Sequence, residues 1–173
     1  MVKELNGREL VGFIKERQAH LVQILRSNKK RAKLVIVRDS DNPVITKYVG
    51  LKCQYGEDIG VEVVDLKVEP TAEALKQSIR GANEDETVSG IIVQLPLMNS
   101  EITEEVLSEI APEKDVDGLS GQGNFDSATA TAINWLLTGY NIDLKQKKIA
   151  IVGRGRLVGR PLVSMWTNSG LSV

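Results

Sequence analysis

Lys148-Ile149-Ala150-Ile151-Val152, followed by Gly153-Arg154-Gly155-Arg156-Leu157-Val158-Gly159-Arg160-Pro161, is the stretch on which the fold turns. The first five residues form a short apolar run with β-branched side chains, the pattern of a buried strand. Leu157 to Asn168 is patterned as a helix. Strand, glycine turn and helix in series present backbone N–H groups at a helix N-terminus, where a dinucleotide pyrophosphate can sit. The same residues also fit a plain helix start. Three residues separate Gly155 from Gly159, where the common dinucleotide fingerprint has two. A complete nucleotide-binding fold needs several further strands, and the 173 residues leave room for about one after the turn.

Upstream, apolar runs alternate with helical patterns. Leu10, Phe13, Ile14, Leu21, Ile24 and Leu25 recur at helical spacing, which predicts an amphipathic helix from Gly7 to Ser27. Leu34 to Val37 predicts a strand. Pro43 opens a second helix to Ile59, which Gly60 stops. Val61 to Leu66 is a second strand, and Thr71 caps a third helix through Ala82. Val88 to Leu95 is nearly all apolar, as a strand buried on both faces should be. Short helices are expected over Thr103 to Ile110 and Ala128 to Leu137, the second closed by Gly139. The alternation predicts a parallel α/β sheet. The polar, glycine-rich Leu119-Ser120-Gly121-Gln122-Gly123-Asn124 marks a boundary, dividing the chain into 1–122 and 123–173.

Composition narrows the class of protein. Hydrophobic content of 42% and charged content of 26% are those of a soluble globular chain. A net charge of −1 gives no reason to expect nucleic acid or an anionic membrane as partner. The basic group Lys29-Lys30-Arg31 with Lys33 reads as a solvated helix end. A single cysteine, Cys53, excludes an internal disulfide, fits a reducing compartment and reads as a passive thiol on a helix face. With His20 the only histidine, a metal site built from His and Cys is not expected. No signal peptide or membrane span is legible, so the expected location is the cytoplasm.

In open α/β sheets, ligands gather beyond the carboxyl ends of the strands, and three segments reach that edge. Tyr48 and Lys52 lie four apart, hence on one helix face. Gln94-Leu95-Pro96-Leu97 ends the third strand, because Pro96 forces the chain out of the sheet and leaves Gln94 at its mouth. Pro112-Glu113-Lys114-Asp115-Val116-Asp117-Gly118 lies just before the boundary. Each has a plainer reading: an amphipathic helix face, a strand-end side chain satisfying backbone groups, and turn carboxylates before glycine.

Their order along the chain is more specific. Tyr48-Val49-Gly50-Leu51-Lys52, Gly90-Ile91-Ile92-Val93-Gln94-Leu95-Pro96-Leu97, the Lys114-Asp115-Val116-Asp117-Gly118 segment and the glycine turn together resemble the bifunctional methylenetetrahydrofolate dehydrogenase/methenyltetrahydrofolate cyclohydrolase family, across nearly the whole chain. The resemblance implies a folate-binding, parallel-sheet catalytic domain followed by the start of a Rossmann-like NADP-binding domain. It implies that Lys52 is the catalytic group of the cyclohydrolase step, Gln94 its hydrogen-bonding partner, Tyr48 a platform for the pterin and Asp117 an acceptor for pterin N–H groups. Val93 and Leu95 join them in the substrate site, while Asp115 is structural. Gly153, Arg154, Gly155, Val158 and Gly159 are the implied cofactor contacts. Arg154 favours NADP, since a guanidinium can pair with a ribose 2′-phosphate. No metal is implied, and the complete protein is expected to be a homodimer.

The implied chemistry is hydride transfer from 5,10-methylenetetrahydrofolate to NADP, then hydrolysis of the methenyl cation to 10-formyltetrahydrofolate. Three positions depart from the family pattern. Gly155 and Ile45 stand where serines are usual, and Ala128-Thr129-Ala130-Thr131-Ala132 replaces a Pro-Cys-Thr-Pro segment, leaving Thr129 or Thr131 as its threonine. Family members continue well beyond this length, so the chain is expected to be C-terminally truncated, with apolar surface bared around the Lys148 strand. A folate-binding or interaction module without NADP-dependent activity is the alternative. A shikimate-dehydrogenase-like or amino-acid-dehydrogenase-like enzyme fits the architecture but not the third-strand and Lys114 to Gly118 segments.

Overall fold

The computed structural model describes residues 4–173. Three parallel strands, β1 (Lys33–Arg38), β2 (Glu62–Lys67) and β3 (Gly90–Val93), form a sheet in the order β2-β1-β3. Val35 pairs with Val64 on one side and Ile91 on the other. Helices α1 (Gly7–Ser27), α2 (Pro43–Ile59) and α3 (Ala72–Glu84) have the expected limits to within two residues. Asn42 and Thr71 cap α2 and α3 with side-chain oxygens, and Gly60 ends α2. A 3₁₀ turn at Ser100–Ile102 leads into α4 (Thr103–Leu107), shorter than the sequence pattern suggests. The tail of that pattern is a turn that carries Ile110 into the core.

Alternation along β1 divides the core. Val35 and Val37 face α3 and α4, packing with Leu75, Ile79, Ile91, Val93, Val106, Leu107 and Ile110. Ile36 faces the other way onto Ile45 and Val49 of α2, with half-buried Cys53 against the same cluster. Both faces of the central strand are therefore covered, which is why it reads as an unbroken apolar run. His20 is exposed on α1. Lys29, Lys30 and Arg31 are exposed as expected, but Lys33 leaves the solvated group to pair with Asp85 at 3.1 Å.

β3 is shorter than the apolar run Val88 to Leu95. Its ladder follows β1, and the chain leaves the sheet before a cis Leu95–Pro96 bond. Its far edge receives the loop Pro112 to Gly118, where Ile91 N donates to Lys114 O at 2.8 Å and Ile91 bridges Asp115. Lys114 fixes that loop. Its ammonium donates to the carbonyls of Ala82, Asn83 and Asp85 at 3.1, 2.7 and 2.9 Å, at the C-terminus of α3. Those last carbonyls lack intrahelical partners and lie at the negative end of the helix dipole, so a cation there is doubly favoured.

The second part corrects one expectation. Lys148 to Val152 is not a regular strand: Lys148 bridges Ser172, Ile149 N donates to Ser172 O at 2.9 Å, and no further ladder forms. A strand exists only through its partners, and an apolar run alone cannot supply them. Ile149 and Ile151 instead pack with Ala130 of α5 (Ala128–Gly139) and with Leu162 and Trp166 of α6 (Gly159–Asn168), while Val152 stands fully exposed. α5 runs through Gly139 rather than stopping before it, and α6 begins two residues later than expected, after the turn at Leu157 and Val158.

At Gly90 the loop packs directly on β3, and a methyl group there would sit 2.6 Å from Cγ1 of Val116. Gly90→Ala should therefore destabilise the chain by about 1–3 kcal/mol through overpacking, read as a lower urea midpoint at unchanged slope. An unaltered midpoint would mean that the loop moves off β3 without cost.

Candidate active site

The carboxyl end of β3 and one face of α2 meet at a hydrogen bond between Lys52 Nζ and Gln94 Oε1, 2.5 Å long. Gln94 Nε2 donates in turn to Leu95 O at 2.9 Å, which turns the amide oxygen toward the lysine. Tyr48, one turn before Lys52, stands half exposed on the same face. Asp117 enters from the loop that Lys114 anchors. These groups border a cleft of about 490 Å³, lined on one side by Tyr48, Lys52, Val93, Gln94, Leu95 and Asp117 and on the other by Ser127, Thr129, Leu157 and Val158.

Burial sets the electrostatics. It pushes the Lys52 ammonium below its ordinary pKa, opposed by the nearby Asp117 carboxylate and, more weakly, by Cys53. Burial also raises Asp117, to about 7, helped by the charge of Asp115 and a hydrogen bond with it, and opposed by Lys52. Oδ1 of Asp117 is buried with no hydrogen-bond partner. An unmet acceptor inside a cleft is costly unless something with an N–H or O–H completes it. The cleft thus holds one weakened cation, one weakened acid and an open acceptor.

Every substrate-side residue expected from sequence lines this cleft, and Val158 joins them from the glycine turn. Gly153, Arg154, Gly155 and Gly159 do not line it; they form the turn behind Leu157 and Val158. Gly153 takes φ of +102°, and its carbonyl sits where any Cβ at Gly159 would fall, so both positions require glycine. Arg154 is exposed, and open space surrounds Gly155. α6 starts without a side-chain cap; Arg160 N donates to Gly155 O at 3.1 Å, Leu162 N donates to Val158 O at 3.0 Å, and Pro161 has no N–H to give. Of the two candidate threonines, Thr129 lines the cleft and Thr131 is not among its lining residues.

Ile92, Leu119, Ser127 and Leu157 also line it and carry no signal of their own in the sequence. Ser127 directly precedes α5. Its side chain makes no cap bond; Oγ donates instead to Leu157 O at 3.0 Å, tying α5 to the turn. A second tie joins the turn to α4, where Arg156 pairs with Glu104. Asp115, expected to be structural, is fully buried and accepts from the N–H groups of Leu119 and Ser120.

The chain belongs to the tetrahydrofolate dehydrogenase/cyclohydrolase family: the family's catalytic domain matches residues 5–117 and its NAD(P)-binding domain matches residues 127–173. The bifunctional protein FolD of Leuconostoc mesenteroides is 32% identical over 186 residues, covering 100% of this chain and 65% of that protein. That of Helicobacter pylori is 33% identical, covering 98% and 62%. The crystal structure of the FolD enzyme from Campylobacter jejuni superposes with a TM-score of 0.92 at 31% identity, covering 98% of this chain and 64% of that one. A Trypanosoma brucei FolD structure, complexed with NADP cofactor and inhibitor, gives 0.90 at 27% identity, covering 96% and 61%. The chain spans a little under two thirds of the length of these relatives.

Asp117 gives the site a pH signature. Because its folded pKa is raised from 3.8 to about 7, the stability it contributes is complete below about pH 4 and lost as pH rises through about 7. Relative to Asp117→Asn, the unaltered chain should lose on the order of a few kcal/mol between these limits, read as urea-unfolding free energies across the range. A constant difference between the two proteins would rule out a buried, titrating Asp117.

Proposed function

We propose that this chain forms the folate site of an NADP-dependent methylenetetrahydrofolate dehydrogenase and methenyltetrahydrofolate cyclohydrolase, with residues 1–122 as the folate-binding catalytic unit and 123–173 as the start of the cofactor unit. The contact between Lys52 and Gln94, inside a cleft that also holds Asp117, carries this reading. Lys52 is the catalytic group for hydrolysis. Withdrawal from water lowers its hold on a proton, so a larger fraction can act as an amine base toward water attacking the methenyl carbon. Gln94 holds the amine at the end of β3, and Tyr48 offers its ring to the flat pterin. The unmet Oδ1 of Asp117 faces the kind of N–H donors that a pterin edge presents. Val93 and Leu95 supply the apolar wall.

Gly153, Arg154, Gly155, Val158 and Gly159 would hold NADP. The fit rests on the left-handed Gly153 and the obligatory Gly159, which let the turn pass close to the start of α6. Once bound, the nicotinamide supplies a hydride acceptor for the one-carbon bridge. The exposed Arg154 guanidinium suits a 2′-phosphate. No cluster of metal-ligating side chains occurs among the described residues, and no helix among them is long and apolar enough to cross a membrane. We place the protein in the cytoplasm, in one-carbon metabolism feeding purine, methionine and histidine synthesis, and as a homodimer when complete.

A second reading is favoured by the exposed Val152 and the one-bridge pairing of its run: the chain binds folate without transferring hydride. Mixing the chain with methylenetetrahydrofolate and NADP and following absorbance separates the two. NADPH formation supports the enzyme reading for this chain, and folate binding without it supports the module. In the complete protein, Lys52→Met should lower hydrolysis of the methenyl substrate about 10²–10⁴-fold, the usual worth of a general base, while folate affinity is largely kept. Unchanged hydrolysis would remove Lys52 from the mechanism.

A further inference from the structure

Ser127 occupies the cap position of α5 and does not act as a cap. Its carbonyl accepts from Thr131 N at 2.9 Å, yet its side chain makes no cap bond. A serine in that position ordinarily takes a hydrogen bond from the second or third N–H of the helix. Here Oγ, in a residue only 5% exposed, donates to Leu157 O at 3.0 Å. α5 forgoes a stabilising cap, and the hydroxyl goes to the glycine turn.

That turn has little else to hold it. Leu157 and Val158 are 44% and 40% exposed, and open space surrounds Gly153 and Gly155, so packing does little to fix this corner. Its own backbone bonds, from Arg160 N to Gly155 O and from Leu162 N to Val158 O, run only into α6. Among the described residues, two hydrogen-bonded ties reach it from other elements: Ser127 Oγ to Leu157 O, and Arg156 to Glu104. The second lies at the surface, with the Glu104 side chain 76% exposed, and an exposed ion pair constrains little. Ser127 is the firmer tie, and it is anchored on its other side. Gly118, next to Asp117, takes φ of +65°, and a methyl group there would lie 2.9 Å from Ser127 N. The backbone of Ser127 thus lies against the loop that carries Asp117, while its hydroxyl holds Leu157.

We propose that Ser127 is a positioning residue for the cleft, a role that rests on reading the cleft as a folate site: it spaces the Leu157–Val158 wall from the Asp117 loop and so fixes the width open to a flat ring. With its one proton spent on Leu157 O, the hydroxyl has no donor left for the cleft. Its effect on a ligand therefore passes through Leu157. Lys52 and Gln94 meet within the sheet unit, on residues that Ser127 does not hold. Loss of the tie loosens binding and leaves the Lys52–Gln94 contact in place.

Hydrogen exchange in the unliganded chain tests the tie. In Ser127→Ala, the amides of Arg160 and Leu162, which bond to the turn, should exchange about three- to tenfold faster, the worth of one neutral hydrogen bond. Gln94 N–H, bonded to Val37 O at 2.8 Å in the sheet, should be unchanged. Ser127→Thr keeps the hydroxyl and should restore the slow rates. Ser127→Cys, of similar volume but only a weak donor, carries the same comparison if Ser127→Ala does not fold. Equal acceleration at Gln94, as a general loss of stability would give, or none at Arg160 and Leu162, overturns the role. Affinity for 5-formyltetrahydrofolate tests the cleft. Ser127→Ala should weaken it by about the same three- to tenfold. In a Leu157→Ala background the loss should shrink to less than about twofold, because residues that act through one another are not additive. Equal losses in both backgrounds overturn action through Leu157. Absence of any folate binding by the unaltered chain overturns the folate assignment, whereas binding that Ser127→Ala leaves unweakened overturns the role of Ser127 alone.

Discussion

The site depends on where one ammonium group sits. Lys114 closes the C-terminus of α3 by donating to three carbonyls that the helix leaves open. Each such bond to a charged donor is worth more than a neutral one, and leaving those carbonyls buried and unpaired would be costly. The same contact brings the following residues against the free edge of β3, so a helix cap also becomes a means of aiming a side chain. With Lys114 in place, Asp115 is enclosed and Asp117 emerges facing Lys52. The apolar packing of α3 and α4 on β1 supplies the rigid base against which this works.

The cleft combines groups whose ordinary charges burial discourages. Lysine and aspartate in water would both be ionised at neutral pH; here each is moved toward its neutral form, and each is also the other's counter-charge. Desolvation is the larger influence on both, and the attraction between them limits it. A pair held in this way can shift its proton when a ligand brings its own charge or its own donors.

Much of this was legible in the residues themselves. The helices α1, α2 and α3 follow from period and caps, since Asn42, Pro43, Gly60 and Thr71 act on their own neighbours in the chain. β1 follows from its unbroken apolar run. Lys148 to Val152 has the same composition and fails as a strand, because a ladder needs a partner and the run finds one bridge at Ser172. Ser127 carried no signal in the sequence, because its hydroxyl finds its acceptor thirty residues along the chain at Leu157. The spacing of Tyr48 and Lys52 announced a shared face, and the family resemblance supplied their partners Gln94 and Asp117.

The sequence by itself determined which segments become helices and strands in the first sheet, which helix face carries Tyr48 and Lys52, and where the glycines of the turn must be. Those are contests between near neighbours, and local periodicity and backbone sterics settle them. The tertiary structure alone decided that burial raises the Asp117 carboxyl toward neutral pH, that Asp115 is enclosed by the Leu119–Ser120 segment, and that Ser127, Leu157 and Val158 complete the cleft wall. Proton affinity depends on burial and on the distance to other charges. Those quantities take values only once segments far apart in the chain have packed together.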